Sequence, residues 1–320
     1  MNHKTKYRTP QNLSISSTKD FLAEVEPIFS LANQKINDVE LITQQTEKTD
    51  LIGQLLLYKF IEYTIHKGCF NKPKTDLRNN NHIKTKLDQT GFLPFFNEFM
   101  NKKNNQLKSD IPNDYQLDWK ESDTFYIAPI VLSKTKAYIE KEKNIYDKIR
   151  DYYNNDSTIV GTIMSCFSEV SSNFIEHADE LTNSVIVASG NNDYFELACA
   201  DTGIGVISSM RTVLQRGKFQ IHDILPMTLN KGVTSKPGTF HSGAGLWLIS
   251  QYVAFSKGDM YIFSEGAYCH QKKGHIKSGQ CGKWKGTIIY VKIPLKNKSA
   301  IAEGKKKLSE QFNNVKISII

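Results

Sequence analysis

The sequence lacks long apolar runs. Among its 320 residues, uninterrupted apolar stretches such as LLLY at residues 55–58 are far shorter than the roughly 20 residues that cross a bilayer. The first ten residues, MNHKTKYRTP, are polar and basic, without the apolar segment of a secretory signal peptide. We therefore expect a cytoplasmic protein that has no membrane partner.

Cysteine is also scarce, with five residues that are odd in number and irregularly spaced. Secreted disulfide frameworks have even numbers of cysteines, so this pattern favours a reducing compartment. Cys166 and Cys199 lie on apolar faces, and we expect both in the core. One group of soft and imidazole side chains could bind zinc: Cys269, His270, His275 and Cys281. It lacks the paired spacing of zinc sites, so we interpret this segment as a hairpin loop.

The net charge of +8 is spread over the chain and does not form a block. No Lys/Arg run is interleaved with aromatic residues as in nucleic-acid-binding modules. A solvated basic surface explains this charge, and we do not expect nucleic acid as a partner.

Alternating helix and strand patterns predict an α+β protein with a C-terminal two-layer α/β sandwich and a smaller α/β domain before it. In the N-terminal part we expect a helix over 21–32, a strand over 38–43 and a helix over 51–66 with its N-cap at Thr49-Asp50. We divide the chain into an N-terminal sensor or docking domain, a connecting strand and helix, a C-terminal domain and a basic tail with a short helix: 1–120, 121–156, 157–296 and 297–320.

The C-terminal part carries a two-strand pattern followed by glycine-rich segments. Strands are expected over 183–189 and 194–200, separated by the turn sequence GNND. A helix is expected over 245–255, with further strands over 260–263 and 286–293. This order predicts a sheet covered by helices.

Three polar motifs are placed on these elements. Glu169, Asn173 and His177 follow one another at intervals of four residues and share one face of a predicted helix. A carboxylate beside an amide on a helix can activate a water or hydroxyl and offer an oxygen to Mg²⁺. The sequence therefore indicates that this face meets a ligand.

The second motif, Asp201-Thr-Gly203-Ile-Gly205, follows a predicted strand directly. An aspartate at a strand end can accept a hydrogen bond from the amino group of adenine, and glycines let the backbone approach a flat base. The third motif is glycine-rich and runs from GVTSK at 232–236 to GAGL at 243–246, where a helix opens. Free amides at a helix start favour phosphate.

In this order, E-x-x-x-N, D-x-G-x-G and G-x-G-L resemble the GHKL superfamily of gyrase, the heat-shock chaperone, histidine kinases and mismatch-repair ATPases. The stretch NKGVTSKPGTFHSGAGLWLI is similar to the lid and second glycine box of histidine kinases and anti-sigma serine kinases. The resemblance covers about residues 157–294. It implies a Bergerat ATP-binding fold and Mg-ATP as the ligand.

Position by position, the resemblance implies that Asn173 ligates Mg²⁺ and that Glu169 is the general base. Asp201 would read adenine, helped by Gly205 and Thr287, with Gly203 in the same motif. Other residues would lie beneath the phosphates: Gly243, Gly245 and Leu246. Residues of the mobile lid would be Thr234, Ser235 and Lys236. His177 matches a position that is often histidine in the serine kinases and is counted with the nucleotide-binding residues.

Several functions stay open at this point. The chain is expected to be an ATP-dependent switch, either an ATPase or a protein serine/threonine kinase, with a protein partner or substrate. The alternative is a nucleotide-sensing regulatory module with little or no turnover, and a DNA-associated ATPase has only the net charge in its favour. A homodimer is compatible with each. A histidine autokinase is not expected, because neither His66 nor His82 is followed by an acidic residue.

The N-terminal domain faintly resembles the STAS domains that anti-sigma-type kinases phosphorylate. There the acceptor hydroxyl begins a helix after a strand, a place that Thr46 or Thr49 would take. The simpler interpretation is that Thr49 caps the helix.

Overall fold

The structure is a computed structural model that describes residues 6–30, 39–67, 74–75, 79–101, 123–132, 136–177, 183–214, 219–235 and 243–313. Residues 102–122, most of which precede the expected connecting strand and helix, lie outside the described residues. Among the described helices, none has the length and apolar character needed to cross a membrane.

The N-terminal part alternates short strands and helices. In chain order these are β1 (Lys6–Arg8), β2 (Asn12–Leu13), a 3-10 turn (Ile15–Ser17), α1 (Thr18–Ser30), β3 (Glu40–Ile42), β4 (Lys48–Thr49), α2 (Leu51–His66), β5 (Lys74–Thr75), α3 (Asn81–Gln89) and α4 (Phe92–Asn101). Strands β1, β3 and β5 form a parallel sheet in that order, and β2 pairs with β4. The expected helices and strand are therefore present.

The C-terminal part forms one large sheet with helices. Its elements are β6 (Phe125–Val131), α5 (Lys136–Tyr152), α6 (Ser157–His177), β7 (Val185–Gly190), β8 (Tyr194–Ala200), α7 (Val206–Arg211), α8 (Ile221–Met227), α9 (Gly245–Ser256), β9 (Asp259–Ser264), β10 (Ala267–Lys272), β11 (His275–Gln280), β12 (Thr287–Pro294) and α10 (Lys298–Asn313). The seven strands lie in the order β11-β10-β9-β12-β8-β7-β6, and all neighbours are antiparallel.

Three local expectations need correction. The N-cap of α2 is Asp50, whose Oδ1 accepts the Gly53 N–H at 2.9 Å, while Thr49 belongs to β4. The segment interpreted as a hairpin loop consists of two full strands, β10 and β11. The tail forms the 16-residue helix α10, which packs on α6 and α9, because Ile301 and Leu308 are buried against them.

Polar side chains fix the ends of the elements that carry the motifs. Asp156 Oδ1 accepts the N–H groups of Thr158 and Ile159, each at 3.1 Å, and so begins α6. In the tight β7–β8 turn, Asn191 Oδ1 accepts the N–H groups of Asp193 and Tyr194. This turn therefore fixes the position of β8 and of Asp201, which follows β8 at the end of the sheet.

The seven-stranded sheet is covered on both faces. Helices α5, α6, α9 and α10 pack on one face, around residues such as Phe167, Ile249 and Ile289. The N-terminal helices α1 and α2 pack on the other face, where Phe60 shares a hydrophobic core with Phe263 and other sheet residues. The expected α+β class is thus confirmed, and the N-terminal part forms a layer on the sheet. Where one domain ends and the next begins stays a prediction.

Candidate functional site

A cavity of about 360 Å³ lies between α6, the segment after β8, the start of α9 and the start of β12. Its size falls within the ~300–1,000 Å³ that is usual for small-molecule sites. Its polar lining residues are Glu169, Ser172, Asn173, Asp201, Ser209, Thr228, Thr234, Ser235 and Thr287. Its glycine and apolar lining residues are Phe174, Gly205, Val206, Met210, Val233, Gly243, Ala244, Gly245, Leu246 and Ile289.

Two side chains of α6 meet the start of α9 at Gly245. A Cβ placed on Gly245 would lie 2.5 Å from Glu169 Oε2 and 3.4 Å from Asn173 Nδ2. Because Gly245 has no Cβ, both side chains fit here as they stand, whereas a Cβ at this distance would displace the Glu169 carboxylate. The first and third sequence motifs are therefore in direct contact.

One atom of the Asn173 amide is left unsatisfied by the described residues. Its Nδ2 is buried and has no hydrogen-bonding partner among the described residues. Buried polar groups are nearly always paired, so an unpaired one that lines a cavity points to a ligand or to water.

The start of α9 offers further donors. The N-cap residue is Ala244, and among the described residues no side chain caps this end of the helix. The first N–H groups of a helix have no partner within the helix and carry a partial positive charge. The preceding loop is closed by the bond from the Gly232 N–H to the Gly243 carbonyl at 3.1 Å. An anion can thus be bound where the loop meets the helix.

Asp201 organises the opposite end of the cavity. The residue is 4% exposed, and its Oδ1 accepts two backbone N–H groups, from Gly203 at 2.9 Å and from Thr287 at 3.0 Å. Its own N–H donates to the Thr287 carbonyl at 3.0 Å. Asp201 is therefore held rigidly between the end of β8 and the beginning of β12.

Thr287 also orients the short helix α7. The Val206 N–H is shared between Thr287 Oγ1 and Ser264 Oγ, each at 3.1 Å. Because Val206 and Met210 line the cavity, these bonds place an apolar wall beside the Asp201 carboxylate. A buried carboxylate next to apolar side chains suits a flat polar ring better than a free phosphate.

The lining residues shape the electrostatics of the site. Among the described residues, two carboxylates line the cavity, Glu169 and Asp201, and no lysine or arginine does. Below the site Cys166 is fully buried, and burial raises the pKa of its thiol, with the nearby Glu169 carboxylate adding to the effect. A phosphate-bearing ligand would therefore need a cation to offset these charges.

Most of the predicted site residues come together. Ten of them line the cavity: Glu169, Asn173, Asp201, Gly205, Thr234, Ser235, Gly243, Gly245, Leu246 and Thr287. Gly203 is not a lining residue, but its N–H binds Asp201. The side chain of His177 and all of Lys236 lie outside the described residues, so their roles stay predictions.

Sequence reasoning missed the apolar wall. Val206, Ser209 and Met210 lie at i, i+3 and i+4 on α7, in a segment interpreted only as glycine-rich loop. That spacing was the available signal. Ser172 and Phe174 flank Asn173 and could have been found by their position alone.

Other candidate residues lie away from the cavity. Thr46 is 2% exposed, and its hydroxyl donates to the Pro10 carbonyl at 2.8 Å. In this conformation a kinase could not reach this hydroxyl to phosphorylate it. Cys269 faces the helix-covered core, while the next residue, His270, faces Asp259 at 3.1 Å. These two side chains point to opposite faces of β10 and cannot bind one ion together. Cys166 and Cys199 are in the core, as expected.

No protein-family model fits the chain, and no curated protein is significantly similar to it. A function can therefore be inferred only from the cavity and its side chains.

Proposed function

We propose that this protein is an ATP-binding switch of the GHKL type, which uses Mg-ATP as an ATPase or as a protein serine/threonine kinase. One observation supports this above all. Three motifs that are far apart in the sequence line a single cavity, in the arrangement that the resemblance to the Bergerat fold implies. Each motif by itself would be a weak signal.

At the Asp201 end the cavity would bind adenine. One carboxylate oxygen is used by the backbone of Gly203 and Thr287. The side chain is thereby oriented to accept a hydrogen bond from the amino group of the base. Val206, Met210 and Ile289 would pack against the faces of the ring.

At the α9 end the cavity would bind the phosphates. The uncapped N–H groups around Gly245 would donate to phosphate oxygens, and Thr234 and Ser235 would cover them from the lid. The residues fit a magnesium ion, because Asn173 Nδ2 has no partner among the described residues, and a flip of the amide would place its oxygen there for a cation. When bound, Mg²⁺ would neutralise phosphate charge beside Glu169.

Glu169 would then act on the nucleophile. Its carboxylate lies at the start of α9, where the terminal phosphate would be held. A carboxylate in this place can orient a water or a substrate hydroxyl and accept its proton. Water as the nucleophile makes the protein an ATPase, and a hydroxyl of a protein partner makes it a kinase.

Incubation with γ-labelled ATP and Mg²⁺ tests the proposal and distinguishes its forms. Label on protein indicates a kinase, and free labelled phosphate alone indicates an ATPase. Nucleotide binding without either product supports the alternative, a nucleotide-sensing module. Absence of adenine-nucleotide binding would refute the whole proposal.

Glu169→Gln separates chemistry from binding. Glutamine keeps the shape but cannot take up the proton, so we expect near-normal ATP affinity and a rate reduced by roughly 10²–10⁴-fold. Single-turnover kinetics and calorimetry measure the two quantities. The matched control is Glu140→Gln on the exposed side of α5, which should change neither. Full turnover in the Glu169 variant would remove this residue from the mechanism.

A further inference from the structure

The loop that links β11 to β12 lies between the N-terminal layer and the adenine end of the cavity. At its centre is Trp284, which is completely buried and contacts both sides. It does not line the cavity itself, so its role differs from that of the binding residues.

On one side Trp284 packs against the N-terminal helices. Its ring centroid lies 4.7 Å from that of Phe29 on α1, and Phe29 in turn lies 4.6 Å from Tyr63 on α2. The loop approaches α1 so closely that a Cβ on Gly282 would lie 2.2 Å from the Ala23 nitrogen. Movement of α1 therefore requires movement of this loop.

On the other side Trp284 is bonded to the site. Its indole Nε1–H donates to the backbone carbonyl of Asp201 at 2.8 Å. Its own carbonyl accepts the Glu265 N–H at 3.0 Å, and the Glu265 carboxylate accepts the Ser208 N–H at 2.7 Å near the start of α7. One side chain thus reaches Asp201 and, through Glu265, the apolar wall.

These bonds are costly to separate. A buried indole N–H that loses its acceptor is left without a hydrogen bond, so the ring and the Asp201 backbone should move together. Packed aromatic rings on α1 similarly resist gradual displacement.

We propose that Trp284 is a positioning residue that sets the geometry of Asp201 and transmits the position of α1 to the nucleotide site. A signal that shifts the N-terminal layer would then change adenine affinity without contacting the nucleotide. The identity of the ligand rests on the proposed function, whereas the connection from α1 to Asp201 does not.

Amide hydrogen exchange of the full chain without nucleotide tests this connection. The N–H groups of Gly203 and Thr287, which bind Asp201 Oδ1, report directly on its position. Trp284→Phe keeps an aromatic ring but removes the donor, and should speed exchange at both sites by roughly tenfold, the effect of one lost hydrogen bond. Amides in the middle of α6 should be unchanged.

Two variants of α1 complete the experiment. Phe29→Leu loses the ring contact with Trp284 and should also speed exchange at Gly203 and Thr287. Phe21→Leu is the control, since Phe21 is also buried on α1 but its ring packs on that of Phe60, with the centroids 6.2 Å apart. It should leave those two amides unchanged.

The proposal is overturned if folded Trp284→Phe or Phe29→Leu protein exchanges Gly203 and Thr287 at the wild-type rate, or if Phe21→Leu speeds them equally. Calorimetry with ADP should show roughly tenfold weaker binding by Trp284→Phe. Wild-type protein that binds no ADP would refute the proposed function, and the exchange data would still decide on the connection.

Discussion

At the scale of single residues, Asp201 shows how one side chain can serve both fold and ligand. Its Oδ1 is occupied by the Gly203 and Thr287 amides, which join two segments 86 residues apart. The carboxylate lies among buried atoms, where each hydrogen bond is worth more than in water. A substitution that keeps an oxygen at the Oδ1 position but replaces Oδ2 should therefore weaken ligand binding without destabilising the fold.

Asp201→Asn makes that change. The amide oxygen can still accept both backbone bonds, but its NH₂ group cannot accept from the amino group of adenine. We expect ATP and ADP to bind more weakly by the same factor, corresponding to about 1–3 kcal/mol, with little loss of stability. Calorimetry measures the affinities, and Asp151→Asn on an exposed position of α5 is the control. Unchanged ADP affinity would contradict the assignment.

At the scale of elements, the start of α9 sets the position of Glu169. We expect Gly245→Ala to displace the carboxylate, because the new Cβ would lie 2.5 Å from Oε2. ATP turnover should fall by roughly 10²-fold, as when a general base is lost.

The matched control is Gly161→Ala on α6, whose Cβ would meet only the flexible end of Lys305. It should leave turnover unchanged and stabilise the helix by about 0.5–1 kcal/mol. Turnover assays and thermal unfolding of both variants provide the measurement. Wild-type turnover by the Gly245 variant would mean that α9 does not position Glu169.

Local sequence patterns predicted the elements around the site well. The helix with Glu169 and Asn173 has a strong helical period, and the strand before Asp201 ends at a clear turn signal. Strand β11 (HIKSGQ) was missed as a strand because it lies at the sheet edge, largely exposed, and shows no apolar alternation. Packing on both faces of the sheet was not predicted, although the run VIVA in β7, which is apolar without alternation, is typical of a strand covered on both faces.

The N-terminus of α2 should make stability depend on pH. Asp50 caps this helix, and burial raises its pKa from 3.8 to about 6, with Glu196 adding to the effect. Between these two pH values the folded state binds more protons than the unfolded state, so the free energy of unfolding falls as pH rises. The protonated Asp50 side chain thus contributes to the free energy of unfolding on the order of 2–3 kcal/mol. This contribution is fully present below pH 3.8 and is lost as pH rises through about 6.

Asp50→Asn keeps the cap oxygen for the Gly53 N–H but does not titrate. As pH rises from 4 to 7, the wild type should therefore lose about 2–3 kcal/mol of unfolding free energy relative to the variant. Urea unfolding at several pH values measures it. A difference that is constant with pH would show that Asp50 is not the titrating group.

At the scale of the whole molecule, a buried ion pair ties the N-terminal layer to the sheet. Lys59 and Glu62 on α2 are both completely buried and bonded to each other. Lys59 also donates to the carbonyl of Asn183, just before β7, and Glu62 accepts from Tyr58 at 3.1 Å. Burial of these two charges is compensated only while each has its partner and Lys59 keeps its bond to the Asn183 carbonyl.

Single substitutions of this pair should be severe. Lys59→Met or Glu62→Leu leaves one buried charge unpaired, and each should lower the free energy of unfolding by about 3–5 kcal/mol. The double variant should be more stable than either single one, because no charge is then buried alone. Denaturant unfolding in a double-mutant cycle tests this, and strictly additive losses would show that the two charges are not coupled.

The position of β12 has a consequence for synthesis on the ribosome. This strand lies in the centre of the sheet, between β8 and β9, although its residues come last among the strands. Helix α2 ends at residue 66, and β12 begins at residue 287. Helix α2 packs on β7 and β8, but at ~5–20 residues per second the sheet to which they belong is complete only on the order of 10–40 s after α2 has been made. Until then the nascent chain exposes a surface that chaperones bind.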